Sequence, residues 1–416
     1  MSHNNASLNK YVMATMVVVI VAVAIMGAYV SYEISNINRN INSIRDSLAK
    51  VNQSLSAQVT ARLTNLSERL GLAIYNLNSS LSNEVSSIKS EFSELESSVR
   101  YPLMLVDALN QTVYIPSRPV RIVTLDPAAT EIVIALNATS QLVGVDNNSV
   151  TYLPPPFNYT VAKLVSSGKL SVIGSTYSSP DIEQILSLNP DLVIGTAGWG
   201  YNNYIASVLQ QYGIPVLLLP SYQSLSDVYK SIIMVGEATG HVNASVSLVE
   251  SMASEIDHVR ELVSGLAPVN VSIVLWINPT YVTGGGTFQN NMIELAGGVN
   301  VFENATGWPT VTAEELLQAN PQVIIIMSNG GLFNTTYFVQ WLSLSIGPAY
   351  KDIAAIRYGR VYVIEGWYES VLSEPAVMTP LGVELLSMIL YPSAYNITSL
   401  PAVISPSTLP VQGVSG

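Results

Sequence analysis

One pattern occurs twice in this chain. Glu183 to Ile194 reads E-Q-I-L-S-L-N-P-D-L-V-I, and Glu314 to Ile325 reads E-E-L-L-Q-A-N-P-Q-V-I-I. Each copy predicts a short helix with its apolar residues on one side. Asn-Pro halts it, because proline lacks an N–H and disfavours helix in the residue before it. A buried strand then follows. Two similar lobes are implied, one per copy. Ser179-Pro180 in the first copy and Thr312 with Glu315 in the second supply N-cap chemistry, a hydroxyl accepting an orphan N–H. Glu183 and Glu314 then fall on the first turn of their helices, where the helix dipole favours a carboxylate. Helix-end stabilisation accounts for one such residue alone; its repetition adds a functional reading.

The N-terminal part has a different logic. Val12 to Val30 carries no charged residue, and its length at 1.5 Å per residue, about 28 Å, matches the hydrocarbon core of a bilayer. A transmembrane anchor over 11–32 is expected, after a short tail at 1–10. A cleaved signal at Met26-Gly27-Ala28 and a pilin-like leader cut near Lys10 are the other readings. Lys10 before the run, with Glu33 and Arg39 after it, favours a cytoplasmic N-terminus, leaving 33–416 outside at the cell surface.

From Ile34 onward a seam of apolar residues continues. Ile34, Ile37, Ile41, Ile44, Leu48, Val51 and Leu55 alternate steps of three and four, a heptad pattern. Val59 to Ile88 follows an eleven-residue repeat, and Phe92, Leu95 and Val99 restore the heptad, so the supercoil should change along its length. A coiled-coil stalk over 33–100 is expected, about 100 Å long. A lone helix lying on a domain would need a matching groove of that length. Homo-oligomerisation is the better reading, and isoleucine at both core positions favours three or four strands. Gly71 should weaken the middle by about 1 kcal/mol relative to alanine.

After Tyr101-Pro102 the pattern alternates strand and helix. Leu103 to Ile115 reads as a hairpin and Arg121 to Leu125 as a buried strand leading into the turn at Asp126-Pro127. Further strands are expected at Leu142 to Val145, Leu192 to Gly195, Val216 to Leu219, Val271 to Leu275, Val323 to Met327 and Val361 to Ile364, forming mostly parallel sheets of an α/β fold. The expected divisions are an N-lobe at 103–222, a helical bridge at 223–266 with a break near Gly240, a C-lobe at 267–392 and a flexible Pro- and Ser-rich tail at 393–416.

With 11% charged residues and a net charge of -12, nucleic acid is excluded as a partner. Solvation must come from uncharged polar groups, and N-x-[ST] sequons begin at Asn52, Asn65, Asn78, Asn110, Asn137, Asn147, Asn158, Asn243, Asn270, Asn304, Asn334 and Asn396. That density in a charge-poor chain predicts a glycoprotein. Cysteine is absent, which removes disulfides, thiolate metal sites and a lipidated cysteine.

Five blocks in order, R118-P-V-R-I-V-T-L-D-P-A-A-T-E131, S179 to I194, G284-G-G-T-F-Q-N-N-M-I-E-L-A-G-G-V-N-V-F302, G307-W-P-T-V-T-A-E314 and Y358-G-R-V-Y-V363, resemble the class III solute-binding proteins of ABC importers. That family handles vitamin B12, haem and iron siderophores, and the resemblance covers about 103–392. It implies two α/β lobes joined by a long bridging helix, with ligand held between them. It also implies that a glutamate on each lobe, Glu183 and Glu314 here, docks on arginines of the permease, which works with its ATPase. A stalk of the expected length would hold the lobes far from a permease in the same membrane unless it bends.

Aromatic residues gather in the loops after strands. Tyr152, Trp199, Tyr201, Trp276, Tyr281, Trp308 and Trp367 include four of the five tryptophans, and flat apolar walls with the amides Asn278, Gln289 and Asn329 suit a large, mostly uncharged ligand. Each aromatic alone reads equally well as a core residue. Three histidines, one of them before the membrane segment, leave no imidazole-rich metal site. Ser373-Glu374-Pro375-Ala376 lacks the arginine that relatives binding anionic chelates place there. A corrinoid or other neutral chelate leads, with ferric siderophores second, and no cofactor is called for. The chain is not read as an enzyme: Gly284-Gly285-Gly286 has neither the spacing nor the lysine of a phosphate loop, and reads as a turn that lets backbone approach ligand. A structural or filament-forming surface protein that keeps the binding fold is the alternative.

Overall fold

A computed structural model describes residues 3–96 and 101–411. They form two compact units. The first ends at Ser90, within one uninterrupted helix, α1 (His3–Glu96), so the expected short tail is helical from His3. It is long and apolar enough to cross a membrane by length and composition. The seam residues from Ile34 to Leu77 are 48–69% exposed. Val99, the last residue of the seam, lies outside the described residues.

The second unit opens with the hairpin β1 (Leu103–Val106) and β2 (Thr112–Ile115). The N-lobe continues through β3 (Ile122–Thr124), α2 (Pro127–Ala135), β4 (Leu142–Val145), α3 (Asn147–Thr151), α4 (Phe157–Ser166) and β5 (Ser171–Val172). After the short pair β6 (Gly174–Ser175) and β7 (Ser179–Pro180) come α5 (Ile182–Ser187), β8 (Leu192–Thr196), α6 (Asn202–Gln211) and β9 (Val216–Leu219). Its sheet is parallel in the order β5-β4-β3-β8-β9.

Two helices, α7 (Leu225–Thr239) and α8 (Val242–Val263), lead to the C-lobe. There β10 (Val269–Trp276), β11 (Tyr281–Val282), α9 (Phe288–Leu295), β12 (Gly298–Asn300), α10 (Ala313–Ala319), β13 (Val323–Met327) and α11 (Thr335–Ile346) are followed by α12 (Ala354–Arg357), β14 (Val361–Ile364), α13 (Trp367–Ser373), α14 (Thr379–Leu390) and β15 (Val403–Ile404). The sheet runs β11-β10-β13-β14-β15, with β12 beside β10, and only the β10–β11 pair is antiparallel. Strands β3, β8, β9, β13 and β14 are buried at every position, as parallel strands covered on both faces must be.

Both copies of the repeat end as expected. Asn189 (φ 44) and Asn320 (φ 46) take the left-handed conformation that asparagine tolerates; the prolines after them are buried, and β8 and β13 follow. The first cap differs from the expectation. Ser179-Pro180 pairs with β6, and Asp181 caps α5 by accepting Gln184 N, because its short carboxylate stands next to the first turn. Thr312 and Glu315 do form the expected capping box.

The bridge breaks at Gly240 (φ 73). Arg118 holds this elbow, donating through Nε to Thr239 O at 3.2 Å and through NH2 to Gly240 O at 3.4 Å. One hydrophobic core runs from the N-lobe through α7 and α8 into the C-lobe, while the outer face of each sheet has a core of its own. The tail is not flexible over its described length: β15 pairs with β14, Tyr368 Oη donates to Leu409 O and accepts from Val411 N, and Ile404, Leu409 and Val411 are buried. Proline and serine there shape a turn that seats these three apolar side chains. Pro- and Ser-rich composition hid them.

Candidate functional site

A cavity of about 670 Å³, counting its open mouth, lies between the lobes, within the roughly 300–1,000 Å³ of ligand pockets. The N-lobe supplies Asp126, Ala128, Thr196 to Trp199, Ser221 and Tyr222, all at or just beyond the C-terminal ends of β3, β8 and β9, where open α/β sheets bind ligands. Asp126 organises this wall. One of its carboxylate oxygens accepts Ala129 N at 2.9 Å and so caps α2; the other accepts Thr196 N at 2.6 Å and Asn202 Nδ2 at 2.9 Å, fixing the end of β8 and the start of α6. Between them Trp199 packs against Tyr177, with ring centroids 5.4 Å apart. Its buried Nε1 has no hydrogen-bond partner.

The C-lobe supplies Phe288 and Gln289 from the first turn of α9, Trp308 from the loop after β12, and Ser373-Glu374-Pro375 from the end of α13 onward. The glycine run sets the position of Trp308. Gly284 N donates to Gly307 O at 2.8 Å, Gly285 N to Ala305 O at 2.7 Å, and Gly307 N to Gly285 O at 2.9 Å. A Cβ on Gly284 would sit 2.1 Å from Ala305 O, and one on Gly285 2.0 Å from Glu303 O. The backbone approach expected towards a ligand is thus an approach to the chain's own loop, which presents Trp308, 58% exposed, at the rim.

Four carboxyl groups gather at the cleft, Asp126 and Glu374 in its lining with Glu131 and Asp146 close enough to act on Glu374, and no basic residue lines it. Glu131, 1% exposed, accepts Met378 N at 3.0 Å, so a side chain of α2 in the N-lobe caps α14 of the C-lobe. Burial pushes its carboxyl up to about 8, against the opposing pull of backbone donors at Met378 and Val377. Glu374 is likewise raised to about 8 by burial and by the charges of Asp126, Glu131 and Asp146. Burial raises Asp146 to about 7 and raises Asp126 as well. Among the described residues no group of three or more His, Asp or Glu is placed to hold a metal ion.

Of the residues singled out in the sequence, the structure brings Trp199, Gln289 and Trp308 together around the cavity. Tyr152 is exposed at the end of α3. Tyr201 precedes α6 and meets Tyr204 edge-on at 6.4 Å. Trp276, at the end of β10, stands edge-on to Phe333 at 4.8 Å, with Tyr281 on β11 exposed beside its strand. Asn278 (φ 62) precedes the cis peptide to Pro279. Asn329 ties strand ends together, its Nδ2 donating to Leu275 O and Met327 O at 2.8 and 3.1 Å. Trp367 packs on Tyr368 and the core. Glu183 and Glu314 are exposed on the first turns of α5 and α10. The sequon asparagines are exposed, except Asn158, which is half-buried. Asp126, Tyr177, Thr196, Tyr222, Phe288 and Glu374 were missed. Their signal was position, since most follow a predicted strand or turn, rather than an aromatic or amide side chain.

Two α/β lobes closing on an aromatic cleft are the architecture of a solute-binding protein. The family profile described as periplasmic binding protein matches residues 122–366. An ABC transporter substrate-binding lipoprotein of Bacillus subtilis is 29% identical over 301 residues, 71% of this chain and 88% of that one. A cobalamin-binding protein of Halobacterium salinarum is 25% identical over 235 residues, 56% of this chain and 60% of that protein. The periplasmic heme-binding protein of Roseiflexus sp. RS-1 superposes with a TM-score of 0.54 at 26% identity, covering 66% of this chain and 98% of its own. The periplasmic vitamin B12 binding protein of Vibrio cholerae shares the fold, with a TM-score of 0.52 at 22% identity over 67% of this chain and 99% of its own. The chain belongs to the periplasmic binding protein family.

The buried carboxyls make stability depend on pH. Glu131 titrates near 4.5 when unfolded and near 8 when folded, so the stability it confers is complete below about 4.5 and lost as pH rises through about 8. The unfolding midpoint measured by calorimetry should fall between pH 6 and pH 9. Glu131→Gln, which keeps an acceptor for Met378 N, should reduce that fall by an amount corresponding to on the order of a few kcal/mol. Equal falls in both proteins would refute the assignment.

Proposed function

We propose that this protein captures a metal chelate, corrinoid or ferric siderophore, between its lobes and delivers it to an ABC permease while anchored to the membrane by α1. The observation that supports it most is the interlobe cavity, with Trp199 from one lobe and Trp308 from the other. Large aromatic faces suit a macrocycle or an apolar chelate shell. The relatives named for cobalamin and heme binding point the same way.

Glu183 and Glu314 serve as the docking carboxylates. Each stands exposed on the first turn of an equivalent helix, one per lobe. A pseudo-twofold pair of charges suits a permease of two subunits, because rim charges set orientation and encounter rate. The helix α1 supplies the anchor and, along its exposed apolar seam, a contact to further copies of itself. Three or four strands follow from isoleucine at both core positions. The sequons carry glycans on the outer surface.

Thermal shift of a 101–416 fragment, which keeps the β15 tail, with corrinoids, haem and ferric siderophores should show stabilisation by at least one of them, since a ligand that binds only the folded state stabilises it by mass action. Trp308→Ala should weaken that ligand by about tenfold or more, corresponding to the loss of an aromatic wall worth on the order of 1–2 kcal/mol. No shift with any chelate would favour a structural surface protein instead. Glu183→Ala combined with Glu314→Ala should leave the dissociation constant unchanged and abolish stimulation of the transporter's ATPase; full stimulation would defeat the docking assignment. Light scattering of the full chain in detergent should give three or four copies, and a monomer would rule out the stalk reading.

A further inference from the structure

The chemistry of the cleft goes further than its size, and the inference here rests on the reading of the cavity as the ligand site. Its polar lining carries acceptors and donors together, the donors including the hydroxyls of Thr196, Ser221, Tyr222 and Ser373. Gln289 is 7% exposed, and its Oε1 is buried without a hydrogen-bond partner, although it lines the cavity. Leaving such a buried group unpaired is costly, so it is a position that a ligand is suited to answer. Glu374 lines the same cavity, and its carboxyl has no hydrogen-bond partner among the described residues. It differs from Asp126, whose two oxygens are already taken by Ala129, Thr196 and Asn202. Trp199 Nε1 is the opposite case, a buried donor without a partner.

We infer that Gln289, Glu374 and Trp199 together select a ligand whose rim carries primary carboxamides, and reject the same framework carrying carboxylates. A carboxamide offers N–H donors to Glu374 and a carbonyl acceptor to Trp199 Nε1, and it pairs with the Gln289 amide in either orientation. A carboxylate offers acceptors only. It would satisfy Trp199 while facing Gln289 Oε1 and the Glu374 carboxyl in a cavity lined by no Lys, Arg or His among the described residues. In a low-dielectric cleft that contact becomes repulsive once Glu374 is charged, above about pH 8, and there a site built to pair with an N–H group rejects an analogue lacking it. An ammonium-bearing ligand answers Glu374 but leaves Trp199 Nε1 unpaired. The aromatic walls give affinity for a broad flat body; these three polar atoms choose among its substituents.

The test uses two probes that share a corrin ring and differ at the rim. Dicyanocobinamide carries carboxamides, and dicyanocobyrinic acid carries carboxylates. Isothermal titration of the full chain in detergent at about pH 9, where Glu374 is ionised, should give a dissociation constant at least tenfold lower for the cobinamide. Glu374→Gln should narrow that ratio severalfold by improving the acid, whereas Gln289→Leu should weaken the cobinamide and leave the acid nearly unchanged. A role for Glu374 in folding alone would move both probes equally. Equal affinity for the two probes, or a ratio untouched by Glu374→Gln, overturns the inference while leaving chelate capture intact. Failure of both corrinoids, of haemin and of ferric hydroxamates to bind overturns the capture reading and this inference with it.

Discussion

The N-lobe side of the cleft hangs on one buried carboxylate. Asp126 follows the first parallel strand of the lobe and accepts three hydrogen bonds, from α2, from the end of β8 and from α6. The backbone N–H groups of Ala129 and Thr196 would otherwise be buried without an acceptor, a penalty of roughly 1–3 kcal/mol apiece, while Asn202 Nδ2 shares its donors between Asp126 and Thr196 O. Satisfying all three with one side chain fixes the relative heights of Ala128, Thr196 and Trp199, which then form a wall instead of three independent loops. The cost is a carboxyl held away from water, seen in its raised titration. Three backbone and amide donors offset that cost without a basic partner. The cleft therefore keeps an acidic floor.

The lobes are joined by more than the bridge. A continuous core passes from one to the other through α7, α8 and α14, Glu131 reaches across to the first turn of α14, and Arg118 clasps the elbow at Gly240. Adjustment between the lobes must come from small sliding of packed helices, as shear motions do, more than from a free hinge. The C-lobe also depends on residues far along the chain: without β15 and the main chain of Leu409 and Val411, β14 would present an open edge and Tyr368 would lose both partners of its hydroxyl.

Much of this was legible in the sequence because it rests on local rules. The Asn-Pro stops, the fully apolar strands and the capping box at Thr312 are each set by a few adjacent residues, and the five blocks in order carried the family. The cleft was less legible. Trp199, Gln289 and Trp308 were found because their loops follow strands, but Asn329 and Trp367 sit in equally suitable loops and are used for tying strand ends and filling core. Composition cannot separate an aromatic that faces a ligand from one that faces a neighbour. The same limit hid the tail, where three buried apolar residues among prolines and serines decide the outcome, and the glycine run, whose close neighbour is a loop many residues further on.

That glycine run has an implication for how such a cleft diversifies. The loop from Glu303 to Trp308 is clamped by main-chain hydrogen bonds to Gly284 and Gly285, so its path is independent of the side chains it displays. Trp308 projects from a frame that does not need it. A replacement there would change what the wall recognises without disturbing the fold beneath, whereas a replacement of either glycine would dislodge the frame itself. New ligand preferences are therefore accessible to this lobe through single exchanges at its rim, on a scaffold whose stability stays out of the trade.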